Sequence, residues 1–190
     1  MHPGMRGGAY EEIIFERDCT AIVVPDGNET FVPKGTVAFV MQTLGGNYTI
    51  QMGNGYLIRV AGRDADAIGK EIEAPPEAQT DTDGNYVVEE PMLWDQLRLV
   101  YDPEIPVNIV ELGLIYDLTL EQIGENSYKV DVVMTLTAPG CGMGQVLRDD
   151  VEQRVAYMPG VTETHVDLVF DPPWSPEKMS EAAKLELGFG

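Results

Sequence analysis

Cys141 is the residue of this chain best placed to act as a nucleophile or a soft metal ligand. It sits in the run Thr135-Leu136-Thr137-Ala138-Pro139-Gly140-Cys141-Gly142-Met143-Gly144, where an alternating apolar strand passes through a Pro-Gly turn into an amphipathic helix. A thiol at a helix start meets unpaired backbone N–H groups and the positive end of the helix dipole, which favour the thiolate, and flanking glycines let a ligand approach the backbone. Free cysteine taken alone is more often a small buried apolar side chain, and only the helix-start position argues otherwise. Thr137, four residues earlier, ends the strand with a hydroxyl able to orient a thiolate, a carboxylate or a bound sulfide, unless it is an ordinary strand threonine. Asp102 and Glu104 flank Pro103 just beyond a helix. Those two carboxylates either terminate the helix as solvated acids or converge on Cys141.

Other candidates carry less. Cys19 starts an apolar strand far away in sequence, where packing explains it, and it receives no role. His165 alternates with Val166, Leu168 and Phe170 and so points to the wetter strand face, while His2 lies in a glycine-rich tail; neither belongs to a spaced metal set. The stretch Gly62 to Lys70 has six residues between its glycines and ends in Glu71, so it is no phosphate-binding loop. Gly140, Gly142 and Gly144 lack the spacing of a dinucleotide fingerprint, and no Cys-x-x-Cys pair exists.

The elements that must position these residues are legible as periodicity. Thr20 to Val24, Thr30 to Val32, Thr36 to Leu44, Tyr48 to Met52 and Tyr56 to Val60 read as short strands cut by Pro25-Asp26-Gly27, Pro33-Lys34-Gly35, Gly45-Gly46 and Gly53-Asn54-Gly55. Such spacing predicts a small antiparallel barrel. From Ala74 to Asn85 the periodicity gives way to prolines and acids, the signature of a linker. The expected layout is a β-rich domain over 1–73, a linker over 74–88 and a mixed domain over 89–190.

In the mixed domain Pro91 suits the first turn of a helix whose face carries Leu93, Leu97, Val100 and Tyr101. Alternation over Leu114 to Leu120 and over Tyr128 to Thr137 predicts two strands joined by a turn at Gly124 to Ser127. Leu147, Val151 and Val155 mark a helix from about Gln145 to Tyr157, and Val166, Leu168 and Phe170 mark a third strand. Ser175 and Pro176 open a final helix. The class is α+β: helix, strand, strand, helix, strand and a C-terminal helix, with the small all-β barrel-like domain in front.

Charge narrows the function. With 12 basic against 32 acidic side chains, the net charge of -20 repels phosphate backbones and anionic lipid, which argues against nucleic acid as a partner. No stretch reaches the apolar length of a membrane span, the N-terminus lacks a secretion-signal core, and two cysteines suit a reducing compartment, so the chain reads as cytoplasmic.

The run Asp102-Pro103-Glu104-Ile105-Pro106-Val107-Asn108-Ile109-Val110-Glu111-Leu112-Gly113-Leu114-Ile115-Tyr116, the run Met134 to Cys141, and Pro172-Pro173-Trp174 resemble the iron-sulfur cluster assembly (FSCA) domain family from about Glu89 to the C-terminus. Gly45 to Thr49 and Asp64 to Lys70 further resemble the extra N-terminal region of the SufT type. The resemblance implies a non-catalytic maturation factor that helps deliver clusters to apo-protein clients together with the assembly machinery. It places Asp102, Glu104, Thr137 and Cys141 on the family's active positions, with Gly142 where many members outside the SufT type carry proline. The implied cargo is a transient iron-sulfur cluster or iron, since a permanent cluster wants about four thiolates and one well-placed thiol holds weakly; sharing it across a homo-oligomer or with a client fits the same logic.

Two other functions compete. A metal-free adaptor would use the acidic surface and the loop bearing Trp174 to grip partners. A cysteine enzyme would be a hydrolase or a thiol redox catalyst; the hydrolase would need a general base beside Cys141, for which His165 is the one candidate in its domain.

Overall fold

The computed structural model describes residues 11–102, 105–138 and 142–188. The chain divides into two units, Met1–Ala74 and Pro75–Gly190.

In the first unit, six short strands form one antiparallel sheet: β1 (Glu11–Ile14), β2 (Cys19–Val24), β3 (Glu29–Val32), β4 (Val37–Leu44), β5 (Asn47–Met52) and β6 (Leu57–Val60), in the order β1-β4-β5-β6-β2-β3. Strand alternation turns Ile13, Ala38, Ile50, Ile58 and Ala21 to one buried side. Gly45 and Gly46, at φ 60 and 83, supply the two left-handed positions that the tight β4–β5 hairpin demands, closing on the pair Leu44 and Asn47. A 3-10 helix over Gly62–Ile68 adds Ala67 and Ile68 to the core. Strand β1 escapes the sequence reading because Glu11-Glu12-Ile13-Ile14 does not alternate, yet its register against β4 buries Ile13 and exposes Ile14.

The second unit runs α1 (Glu90–Leu97), β7 (Ile115–Gly124), β8 (Ser127–Met134), α2 (Gly144–Ala156), β9 (Val161–Leu168) and α3 (Glu181–Glu186). It is the α+β domain expected from the periodicity. Strand β8 is central, antiparallel to β7 and parallel to β9, and α2 is the crossover between the parallel pair. Val130, Val132 and Met134 on β8 meet Leu147, Val151 and Val155 on α2 and Leu93 and Leu97 on α1 in one core. The other sheet face, with Lys129 and Asp131 on β8, is open to solvent.

Three boundaries differ from the periodicity. Helix α1 stops at Leu97 because Val100 and Tyr101 are taken by a different structure: the Ile109 amide donates to the Val100 carbonyl at 2.9 Å, and Tyr101 bridges to Asn108. Strand β9 begins at Val161 and ends at Leu168, so Phe170 lies beyond it and is exposed; its polar first half is a strand because β8 offers it a parallel ladder. Pro176–Lys178 makes only a 3-10 turn, and α3 starts later, with Ser180 Oγ accepting the Ala183 amide at 3.1 Å.

The acidic stretch after Ala74 has local order of its own within the second unit. Asp81 Oδ1 accepts the amides of Asp83 and Asn85, each at 2.9 Å, Thr80 bridges to Tyr86, and Val88 enters the core.

Candidate functional site

Registration of the three strands brings four segments to one end of the second unit's sheet. Met134, the last residue of β8, pairs with Ile115 at the start of β7 and with Leu168 at the end of β9. Just beyond that row the Thr135 amide donates to the Leu114 carbonyl at 2.9 Å and the Val169 amide to the Met134 carbonyl at 2.8 Å. The segment after α1 therefore arrives at this end, Thr137 leaves from it, α2 begins after it, and the exit toward Trp174 departs beside it.

Asp102 stands in the arriving segment and is 7% exposed. Its Oδ1 accepts the Ile105 amide at 3.2 Å and its own amide donates to the Val107 carbonyl at 3.5 Å. The backbone beyond it is a chain of turns. Asn108 Oδ1 accepts the amides of Val110 and Glu111 at 3.1 and 3.0 Å, and the Leu112 amide returns to the Asn108 carbonyl at 3.1 Å. This is the geometry of a carboxylate held in place by its own loop, not of a solvated acid after a helix.

Thr137 is half-buried, next to the buried Leu136 and Thr135. Helix α2 follows with Met143 as its N-cap and no side-chain cap, and Gly144 is packed so closely that a Cβ there would lie 2.7 Å from Leu136 Cδ1. Glu104 and Cys141 lie outside the described residues. Among the described residues no group of three or more His, Cys, Asp or Glu side chains is arranged to hold a metal ion.

Trp174 is half-buried, and its indole Nε1 donates to the Leu112 carbonyl at 2.7 Å. The bond turns the tryptophan inward, against the arriving segment. Local sequence carries no sign of this bond, because an indole donor finds its acceptor through tertiary structure. Gly113 is likewise invisible to local pattern: at φ 78, a Cβ there would collide with the Lys178 carbonyl, which leaves no room for another residue. Asn108 had a readable signal, an Asx residue whose side chain caps amides two and three positions on.

His165 is exposed and pairs with Asp167 at 2.9 Å on the open sheet face, away from the core in which Val166 is buried. Cys19 is buried, 3% exposed, with its thiol pKa pushed up by burial first and by the nearby Asp64 carboxylate second. No helix among the described residues is long and apolar enough to cross a membrane.

A family model described as an iron-sulfur cluster assembly protein matches residues 90–168. An Fe-S protein maturation auxiliary factor of Porphyromonas gingivalis is 48% identical over 93 residues, 49% of this chain and 85% of that protein. The Fe-S protein maturation auxiliary factor SufT of Staphylococcus aureus is 40% identical over 90 residues, 47% of this chain and 98% of that protein. The crystal structure of a domain of unknown function from Bacillus anthracis superposes with a TM-score of 0.48 at 39% identity, covering 53% of this chain and 92% of that one.

Proposed function

This chain belongs to the iron-sulfur cluster assembly protein family, and from that premise we propose that it is an auxiliary factor of Fe-S protein maturation, assisting clusters to reach apo-protein clients through the thiolate of Cys141. The observation that carries this reading is the 48% identity to a maturation auxiliary factor over 85% of that protein's length.

The chemistry of the donors supports transfer over storage. A resident cluster is held by about four soft ligands, and one thiolate assisted by the hard oxygens of Asp102 and Glu104 grips iron or a cluster loosely. Thr137 lends a hydroxyl that orients the thiolate or a sulfide. The cluster is cargo, so the role is accessory and not catalytic, and it is exercised in the cytoplasm where thiols stay reduced. Its partners are the assembly machinery and apo-clients, and two copies sharing one cluster would supply a second thiolate. Residues 1–73 form an accessory β-rich domain joined through 74–88 to the assembly domain over 89–190, and the end of that joining stretch, Tyr86 to Val88, packs on the assembly domain.

Anaerobic reconstitution with iron and sulfide, followed by incubation with a purified [4Fe–4S] apo-enzyme whose activity returns with its cluster, tests the reading. Wild type should carry iron and sulfide and speed reactivation, and Cys141→Ser should lose both by about tenfold or more. Equal iron and sulfide in both proteins would remove Cys141 as the ligand; reactivation no faster than with buffer would remove the maturation role.

A further inference from the structure

Strand β7 has β8 on one side and no strand on the other. Hydrogen-bond directions along β8 reveal which of its backbone groups are left over. The Met134 carbonyl takes the Val169 amide on the β9 side and the Thr135 amide reaches the Leu114 carbonyl on the β7 side, so successive residues of β8 bond alternately to its two neighbours. Lys129, Asp131 and Val133 therefore bond to their register partners Glu121, Thr119 and Asp117, and the N–H and C=O groups of Leu118, Leu120 and Gln122 point out of the free edge. No hydrogen bond among the described residues engages those groups. Register shifts between Ile115 and Asp117 and between Gln122 and Gly124 bound the regular run, so Asp117 to Gln122 is the stretch able to take another strand. The opposite edge differs: on β9 the outward Val166 carbonyl accepts Arg148 Nε of α2 at 3.0 Å.

The two faces beside this edge fix what a further strand has to carry. On the core side Leu118 is buried and Leu120 half-buried, at the margin of the core. On the open side Asp117, Thr119 and Glu121 are exposed, and neither carboxylate has an ion-pair partner among the described residues. Lys129, the basic residue next to them on β8, lies 4.0 Å from Asp131 instead. A strand laid along the edge turns alternate side chains to these two faces, so it fits with apolar residues on one and Lys or Arg on the other. A second copy of the chain does not fit. Antiparallel pairing of β7 with itself about Thr119 sets Asp117 opposite Glu121, between two chains that each carry a net charge of -20.

We propose that the Asp117 to Gln122 edge of β7 docks an extended basic segment of a partner protein, which adds antiparallel to the sheet with its apolar side chains continuing the core and its cations over Asp117 and Glu121. The free backbone groups supply the attachment, and the carboxylates select the partner. This surface does not depend on the maturation reading above.

The test uses the full-length protein and a capped peptide of alternating lysine and valine, beside a control peptide of equal charge with proline in place of each valine. In an antiparallel pair the residues opposite Leu118 and Leu120 are the apolar ones and bond to β7 through their N–H groups, so the control keeps the attraction and loses the pairing. At saturation the alternating peptide should slow amide hydrogen exchange at Leu118, Leu120 and Gln122 by at least about tenfold, while Thr119 and Glu121, already bonded to β8, change by less than about twofold. Calorimetric titration should show it binding at least about fivefold more tightly than the control, and the double variant Asp117→Asn, Glu121→Gln should weaken it about threefold or more at low salt. Equal affinity for both peptides, or binding without slowed exchange on β7, overturns the proposal, because attraction between charges then accounts for everything. Unchanged affinity in the double variant overturns the basic partner, and slowed exchange at Thr164 and Leu168 in place of β7 overturns the choice of edge. Protection of the three β7 amides in the free protein that is lost on dilution makes a second copy the occupant and overturns the proposal as well.

Discussion

Asp102 accepts the Ile105 amide through Oδ1 at 3.2 Å while remaining only 7% exposed. A carboxylate so held has two separable duties: to close its turn and to present charge. Asp102→Asn retains the acceptor oxygen and the shape, so stability should stay within about 1 kcal/mol of wild type, whereas Asp102→Ala leaves the Ile105 amide without this acceptor and should cost about 1–3 kcal/mol. Urea unfolding measures both. If charge assists the cluster, the asparagine variant should still lose delivery several-fold; delivery equal to wild type in Asp102→Asn would assign Asp102 to the turn alone.

Gly113 offers a sharper stability test. Its φ of 78 disfavours any side chain, and the Lys178 carbonyl stands where a Cβ would have to go. Gly113→Ala combines backbone strain with a displaced Lys178 carbonyl and should lower stability by at least about 2 kcal/mol. The C-terminal 15 or so residues should also become the first site of limited proteolysis, on the order of tenfold faster than wild type, as expected for a loosened terminal segment. Unchanged unfolding and unchanged cleavage would mean that the Lys178 carbonyl does not constrain position 113.

The first unit carries its own pH dependence. Arg17 donates to both Asp66 oxygens, at 2.8 and 2.7 Å, and to Asp64 at 3.0 Å. These bonds hold the Asp66 carboxyl below the usual carboxylate range and raise the guanidinium further above its own. A carboxyl whose folded pKa lies below its unfolded one adds stability above the unfolded value of about 3.9, and that stability fades as pH falls through the folded value. Asp66→Asn should therefore weaken the first unit near neutrality and flatten its loss of stability between about pH 5 and pH 2. Thermal unfolding across that range checks it, and parallel pH profiles for variant and wild type would sink the assignment.

Local pattern was enough for every element whose apolar period is carried by the segment itself. The alternation in Tyr128 to Leu136 and the four-residue spacing of Leu147, Val151 and Val155 specify β8 and α2 because one face of each must be buried whatever it is buried against. Gly45-Gly46 specifies its hairpin because few other residues accept two successive positive φ angles. The charge of -20 and the presence of only two cysteines, Cys19 and Cys141, are likewise properties of the chain as written.

What lay beyond the sequence depends on neighbours far along the chain. The polar half of β9 becomes a strand only beside β8, α1 ends where Val100 finds the Ile109 amide, and Trp174 turns inward because the Leu112 carbonyl, 62 residues away, needs a donor. Backbone groups must be satisfied wherever the core buries them, and which partner satisfies each one is decided by tertiary packing, not by local propensity.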